Sequence, residues 1–250
     1  MSTKYRDQIY KKYFSSQGEY ISNPDFGSQR RNYYNNYFLT KFLPHDKSTK
    51  VLDIGCGYGS LLVSLKSLGY SEIMGVDKCP ELDTILKGSE LSKYIIAGDV
   101  CDFLKDSYAK QTKWDVVLAI DILEHFTKDE LMDVLNLIKN VLSNKGLLIV
   151  KVPNAQSPLL AGTTVFGDFS HEISFTPTSM DQVLKACGFS GIRCYEASPV
   201  PYTPMSLLRF CLWNIIRLLY VFLYAVETGS LSLSNIWSRS FFAVANKIDN

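Results

Sequence analysis

Apolar residues in this chain fall into short unbroken runs, separated by longer segments in which they recur every third or fourth position. Runs at 51–54, 73–76, 94–97, 114–120 and 147–152 are rich in Val, Ile and Leu. Short apolar runs of this kind predict strands buried on both faces. Between them, 61–68, 101–109 and 127–142 have helical spacing; Gly69 stops the first, and Asn144-Lys145-Gly146 is expected to close the last. Thr127 followed by Glu130 predicts a capping box at the start of that helix. Five strands alternating with helices over short links imply a doubly wound, mostly parallel α/β sheet. Ahead of this unit, 29–43 reads as a helix with Tyr34, Phe38 and Phe42 on one stripe, ended by Pro44. Behind it, a helix over 178–187 opened by Thr178, a strand at 192–195 and a last strand at 241–245 complete the pattern.

One apolar segment fits none of this. Residues 207–226 are mostly apolar, yet Arg209 and Arg217 interrupt them, so the longest uncharged run falls well short of the ~20 residues that span a bilayer. Arg209, Asn214, Arg217, Tyr220, Tyr224 and Glu227 recur at steps of three to five, a polar stripe along a broad apolar helix. Three environments suit such a helix: its own domain, a second copy in a homodimer, or a membrane surface.

Length and composition narrow the class. The 250 residues suit one domain with insertions: a lid over 1–45, a core over 46–152, an irregular loop over 153–177 and a helical insertion over 200–238. A net charge of +1 gives no bulk attraction to nucleic acid. The six cysteines are scattered without a C-x-x-C pair, which argues against zinc and disulfides and for a reducing cytoplasm. The polar first twenty residues contain no apolar run, so no secretory signal is expected.

The candidate chemistry begins where the first strand ends, at Asp53-Ile54-Gly55-Cys56-Gly57-Tyr58-Gly59. Glycines after a strand and before a helix let a ligand approach the backbone at the carboxyl edge of a sheet. A dinucleotide site needs G-x-G-x-x-G, whereas here the third glycine comes one residue early and Ser60 follows. Asp53 would also repel a pyrophosphate. Asp77, at the end of the second run, stands roughly twenty residues on from Gly55, where an acid accepts from ribose hydroxyls.

The D-x-G-x-G-x-G pattern resembles the first motif of class I S-adenosylmethionine-dependent methyltransferases. A nicotinamide-dependent oxidoreductase is the rival on the same sheet. The resemblance implies a Rossmann-like seven-stranded sheet with an antiparallel last strand paired in a hairpin with the sixth, 200–238 being inserted between them. Its cofactor, S-adenosyl-L-methionine, carries a sulfonium and an ammonium, so a nearby carboxylate is favourable. Asp53, Gly55, Cys56 and Gly57 would cradle it, Asp77 with Lys78 would meet the ribose, and Ala119 would lie beside it at the end of the fourth strand. Asp99 would bind the adenine amino group while the Val100 backbone faces the ring; Asp99 could equally cap the next helix. Arg30 or Arg31 of the lid would meet the methionine carboxylate, or form a solvated basic pair.

Asp121-Ile122-Leu123-Glu124-His125 resembles the family's post-strand motif. With Val152-Pro153-Asn154, Gly167-Asp168-Phe169-Ser170-His171-Glu172 and Phe175-Thr176-Pro177-Thr178-Ser179, it is similar to bacterial O-methyltransferases of polysaccharide and lipopolysaccharide clusters. That resemblance implies a small-molecule acceptor, a sugar or sugar-phosphate precursor, in a cytoplasmic enzyme. A quinone precursor or a carboxylic acid remains open as acceptor, as does a non-catalytic scaffold on a membrane surface. An alcohol acceptor needs a base. His171, oriented by Asp168 and Glu172, is the expected one, with His125 or Glu124 shaping the pocket; each histidine could instead fasten backbone. Asp121, Glu124, Asp168 and Glu172 could gather around a divalent cation, but no metal is expected, since nothing in the spacing demands one.

Overall fold

The computed structural model describes residues 4–11 and 28–248. These build one seven-stranded sheet in the order β3-β2-β1-β4-β5-β7-β6. The strands are β1 Val51–Ile54, β2 Ile73–Asp77, β3 Ile95–Ala97, β4 Trp114–Ile120, β5 Leu142–Pro153, β6 Phe189–Glu196 and β7 Ser240–Lys247. β7 runs antiparallel to both β5 and β6, and the other pairs are parallel. The order reverses between β1 and β4, which places the ligand crevice of an open α/β sheet beyond their carboxyl ends.

The strands read as unbroken apolar runs because helices cover both faces. Leu52, Ile54, Val117, Ala119, Leu148 and Val150 pack on one side against helices Val100–Ala109, Lys128–Val141 and Pro177–Ala186. Val51, Val116, Leu118 and Ile149 pack on the other against Phe38 and Leu39 of helix Ser28–Phe42 and Leu61, Leu62 and Leu65 of helix Ser60–Ser67. The expected stripe of the first of these helices holds at Phe38 and Phe42, which meet Phe242 of β7.

Two boundaries differ from the sequence reading. The helix opened by Thr127 ends at Val141, and Asn144-Lys145-Gly146 lies inside β5 instead of closing it. Leu142 is fully buried and pairs with Trp114, so burial in the sheet outweighs the turn signal; Lys145 takes a left-handed φ of 61° in the irregular stretch that follows. The helix expected to start at Thr178 is capped by Thr176, whose hydroxyl and Ser179 form a reciprocal box with Pro177 at the first helical position. Proline is pre-set for that position, which moves the cap one residue ahead of it.

Helix Pro204–Thr228 fills the connection between β6 and β7. Because β7 is antiparallel, this insertion leaves and returns at the rim where the parallel strands end: Glu196 pairs with Phe241, and Pro153 with Ser240. The middle of the polar stripe faces the protein, while Arg209 and Glu227 are exposed. Trp213 Nε1 donates to Glu196 at 3.2 Å, Arg217 donates to the Leu233 carbonyl at 2.7 Å, and the Tyr220 and Tyr224 rings lie against Trp237. At about 100° per residue, Met205, Leu207, Leu208, Leu212, Ile215, Ile216, Leu218, Leu219, Phe222, Leu223 and Val226 fan over an arc of roughly 180° pointing away from the body. All of them are exposed. The helix therefore touches its own domain through Trp213, Arg217, Tyr220, Val221 and Tyr224, and its apolar arc is uncovered among the described residues.

Candidate active site

The cofactor side is built from β1, β2 and the glycine loop. Gly55, Gly57 and Gly59 all have positive φ (67°, 54° and 85°), a left-handed conformation that side chains disfavour. Packing adds a second reason at two of them. A Cβ on Gly55 would lie 2.5 Å from Ile122 Cδ1, and one on Gly59 2.7 Å from Ile95 Cδ1. Space for a ligand is thus not the sole demand on the loop, as the sequence suggested. Asp77 holds the loop from the next strand: its carboxylate accepts from Gly57 N and Cys79 N, both at 2.9 Å. Burial raises its pKa and the two backbone donors oppose that rise. Two acceptor oxygens leave lone pairs for ribose hydroxyls as well.

Asp53 is the group that tests whether the expected cofactor fits. It is 1% exposed, and neither carboxylate oxygen has a hydrogen-bond partner. Burial, and then the charge of Asp77, push its pKa well above the usual range. A buried carboxylate without a partner is costly, and a cationic ligand at the carboxyl end of β1 removes that cost. A sulfonium or ammonium group fits this donor set, whereas a pyrophosphate does not. Cys56 is buried, with Gly75 close beneath it. Asp99 caps helix Val100–Ala109 by accepting from Cys101 N at 2.9 Å, while its second oxygen lies 3.8 Å from Lys78 Nζ. The cap and an adenine contact can coexist on separate oxygens. Val100 and Ala119 are buried at the ends of their elements.

The acceptor side starts after β4. Glu124 and His125 lie in the 3-10 turn Leu123–His125, and both are buried. His171 comes from the 154–176 loop, which is tied to this turn by Glu172 N and Ile173 N donating to the Glu124 carbonyl at 2.8 and 3.1 Å. The two imidazoles meet edge to face with centroids 4.8 Å apart, and His171 Nε2 lies 3.9 Å from Glu124 Oε1. Burial, then Asp121, raises the Glu124 pKa well above normal; burial, then His171, lowers His125 to about 4.

The expected orienters of His171 are engaged elsewhere. Asp168 accepts from Ser170 N at 2.9 Å and from its hydroxyl at 2.5 Å, Glu172 lies 3.8 Å from Arg6, and the Val165 carbonyl holds His171 Nδ1 at 2.8 Å. Asp121 is ion-paired with Lys151. Of the four acids that could have gathered round a cation, Glu124 lies beside His125 and His171. One ligand atom from each of these three lies within 4.8 Å of the others.

Helix Lys4–Tyr10 supplies residues that the sequence did not flag. Arg6 binds both oxygens of Glu130, at 2.8 and 2.7 Å, and donates to the His125 carbonyl at 3.0 Å. Tyr10 lies 6.4 Å from His125 between ring centroids, and burial raises its pKa to about 12. The side chains of Arg30 and Arg31, expected at the methionine carboxylate, lie outside the described residues. Arg6, in helix Lys4–Tyr10, faces Glu130, Glu172 and the His125 backbone.

A profile of the methyltransferase domain family matches residues 26–193. A ubiquinone biosynthesis O-methyltransferase of Glaesserella parasuis is 30% identical over 175 residues, covering 63% of this chain and 70% of that protein. A SAM-dependent methyltransferase from Archaeoglobus fulgidus superposes with a TM-score of 0.62 at 20% identity, over 89% of this chain and 98% of its own. A methyltransferase from Thermotoga maritima, described as a possible histamine N-methyltransferase, gives 0.61 at 14% identity, over 96% and 99%. These two carry the fold, and the profile, which spans more than half of the chain, carries the chemistry. The chain belongs to the S-adenosylmethionine-dependent methyltransferases.

Proposed function

We propose that this enzyme methylates a hydroxyl oxygen of a small-molecule acceptor entering over the 154–176 loop. The carrying observation is the Glu124–His125–His171 trio, two buried residues and a half-buried histidine at the rim beside the cofactor side. When bound, the cofactor supplies a methyl group on a positively charged sulfur. Asp53 balances cationic charge, Asp77 holds the glycine loop against the ribose, and Asp99 with Val100 borders the adenine. The trio receives the acceptor hydroxyl and makes loss of its proton easier, with His171 facing the substrate loop.

A sugar or sugar-phosphate acceptor rests on the motif resemblance. A quinone precursor draws support from the relative named for ubiquinone biosynthesis and from exposed Leu159, Leu160, Phe166 and Phe169 on the acceptor loop. We further infer that the apolar arc of helix Pro204–Thr228 rests in a membrane surface, on the inner face given six free thiols. A partner helix covers a narrow stripe, whereas lipid covers the whole roughly 180° arc. Arg209 at its edge suits anionic headgroups. This helix is long and apolar enough to cross a membrane, but its inward hydrogen bonds hold it against the body, which favours lying in the surface.

The test is a deuterated methyl donor given to the enzyme with sugar nucleotides, lipid-linked glycan intermediates and quinone precursors, read by mass spectrometry. Label on a hydroxyl oxygen supports O-methylation, and the class that carries it selects between the acceptors. Label confined to nitrogen, carbon or macromolecules overturns the reading.

A further inference from the structure

The hydrogen-bond network fixes how the trio presents itself. The Val165 carbonyl can only accept, so His171 Nδ1 carries the proton and Nε2 carries the lone pair. Ser170 Oγ gives its hydrogen to Asp168, so at 2.9 Å it accepts from His125 Nδ1, and the lone pair of that ring is also at Nε2. The third member is a carboxyl group, 1% exposed, whose Oε2 has no hydrogen-bond partner. Two imidazoles with Nδ1 turned to oxygen acceptors, beside the buried Glu124 carboxyl group, bring three ligand-capable atoms within 4.8 Å of one another.

We propose that Glu124, His125 and His171 form a binding site for a divalent transition-metal cation. The proposal rests on the acceptor reading above and specifies how the trio acts: His171 is a ligand there, not a free base. Metal-bound histidines generally tie the second ring nitrogen to a carbonyl or to a carboxylate-backed donor, which fixes the tautomer. That is the arrangement of Val165 behind His171, and of Ser170 with Asp168 behind His125. Ligands about 2.0–2.2 Å from a cation lie roughly 3–3.5 Å from one another. The separations here, up to 4.8 Å, close to that by side-chain rotations of about 1 Å.

The ligand set selects the ion. Two imidazoles and one carboxylate favour Mn²⁺, Fe²⁺, Co²⁺, Ni²⁺ or Zn²⁺ over Mg²⁺ and Ca²⁺, which prefer all-oxygen shells. Three protein ligands leave positions open for the acceptor oxygen. The cation lowers the pKa of the acceptor hydroxyl, whose proton leaves to water. The oxygen then bonds to the methyl carbon as the carbon–sulfur bond breaks, and the electron pair stays on sulfur as a neutral thioether. A bound cation also offsets the cost of ionising the buried Glu124 carboxyl group.

The test uses the full chain stripped with chelator and titrated with Co²⁺ or Mn²⁺. Wild type should give ligand-field absorption with Co²⁺, saturating at one cation per chain, and a melting temperature that rises with cation concentration. Glu124→Gln and His171→Ala should lose both signals. Ser170→Ala, which removes support for His125, should weaken cation affinity about 10–100-fold. Titration with S-adenosylmethionine in every variant shows whether the cofactor site is intact, so a failed metal test is separable from a failed methyltransferase reading. No spectral or thermal response in wild type, or a response unchanged in Glu124→Gln and His171→Ala, overturns the proposal. Methyl transfer undiminished by chelator overturns it equally.

Discussion

Asp53 is held in a place where its charge opposes folding. Its folded-state pKa is raised, so above the ordinary value of 3.8 the folded chain binds more protons than the unfolded one, and apo stability falls as pH rises through the raised range. Asp53→Asn should therefore stabilise the apo protein at neutral pH, by about 1–3 kcal/mol, while weakening cofactor binding. Thermal melts with and without S-adenosylmethionine check this. A variant that is destabilised, or that binds as wild type does, removes the cationic-ligand role. At this scale the sequence was partly legible. Motif spacing picked out Asp53, Asp77, Glu124, His125 and His171, because each sits at a strand end or in a loop tied to one. The partners were not legible: Asp168 and Glu172 look equally able to orient His171, and only the packed loop shows them turned to Ser170 and Arg6. Arg6 and Tyr10 were missed because their contacts reach more than a hundred residues along the chain, where no local pattern points.

Among elements, helix Pro204–Thr228 is where pattern and environment part. Its polar stripe was visible in the sequence, and such stripes ordinarily face water; here the stripe faces Glu196, Leu233 and Trp237. The orientation follows from hydrogen bonds supplied by β6 and by the segment before β7, which periodicity cannot see. If the outward arc rests in lipid, wild type should float with vesicles of phosphatidylcholine and phosphatidylglycerol. A triple variant Ile215→Glu, Leu219→Glu, Phe222→Glu should stay at the bottom with cofactor affinity intact, since none of the three touches the cofactor side. The hydrophobic contribution of three such side chains, roughly 1.5–3 kcal/mol each when buried, predicts a loss of at least about 100-fold in partitioning. Wild type that ignores vesicles while light scattering shows a dimer, abolished in the triple variant, would replace the lipid reading by a homodimer. The strands were the easier case. β1 and β4 are short apolar runs covered on both faces, whereas β5 began early because Leu142 pairs with Trp114 in spite of the turn residues after it.

For the whole molecule, the carboxyl rim of the sheet gathers the glycine loop, the trio, the long helix and helix Lys4–Tyr10, which a charged clasp ties to the body. The Arg6 guanidinium holds both Glu130 oxygens, and Glu130 also accepts from Thr127 N at 2.9 Å, so helix Lys4–Tyr10 is bound to the cap of helix Lys128–Val141. Arg6 first, with the Thr127 donors helping and burial opposing, lowers the Glu130 pKa to about 2. A depressed carboxylate gives stability that is complete above its ordinary value of 4.5 and is lost as pH falls through about 2. Docking of helix Lys4–Tyr10 on the body should follow the same curve. Glu130→Gln keeps a hydrogen-bonding shape but removes the charge, leaving Arg6 buried without its main partner, at a cost of about 1–3 kcal/mol to the docked state. Cofactor dissociation, followed by stopped flow, should be about 10-fold faster in this variant at neutral pH. In wild type the rate should climb from pH 4.5 downward, whereas in Glu130→Gln that limb should be flat. If both proteins show the same acid limb, some other carboxylate governs docking, and the Arg6 clasp is structural support rather than the latch over the site.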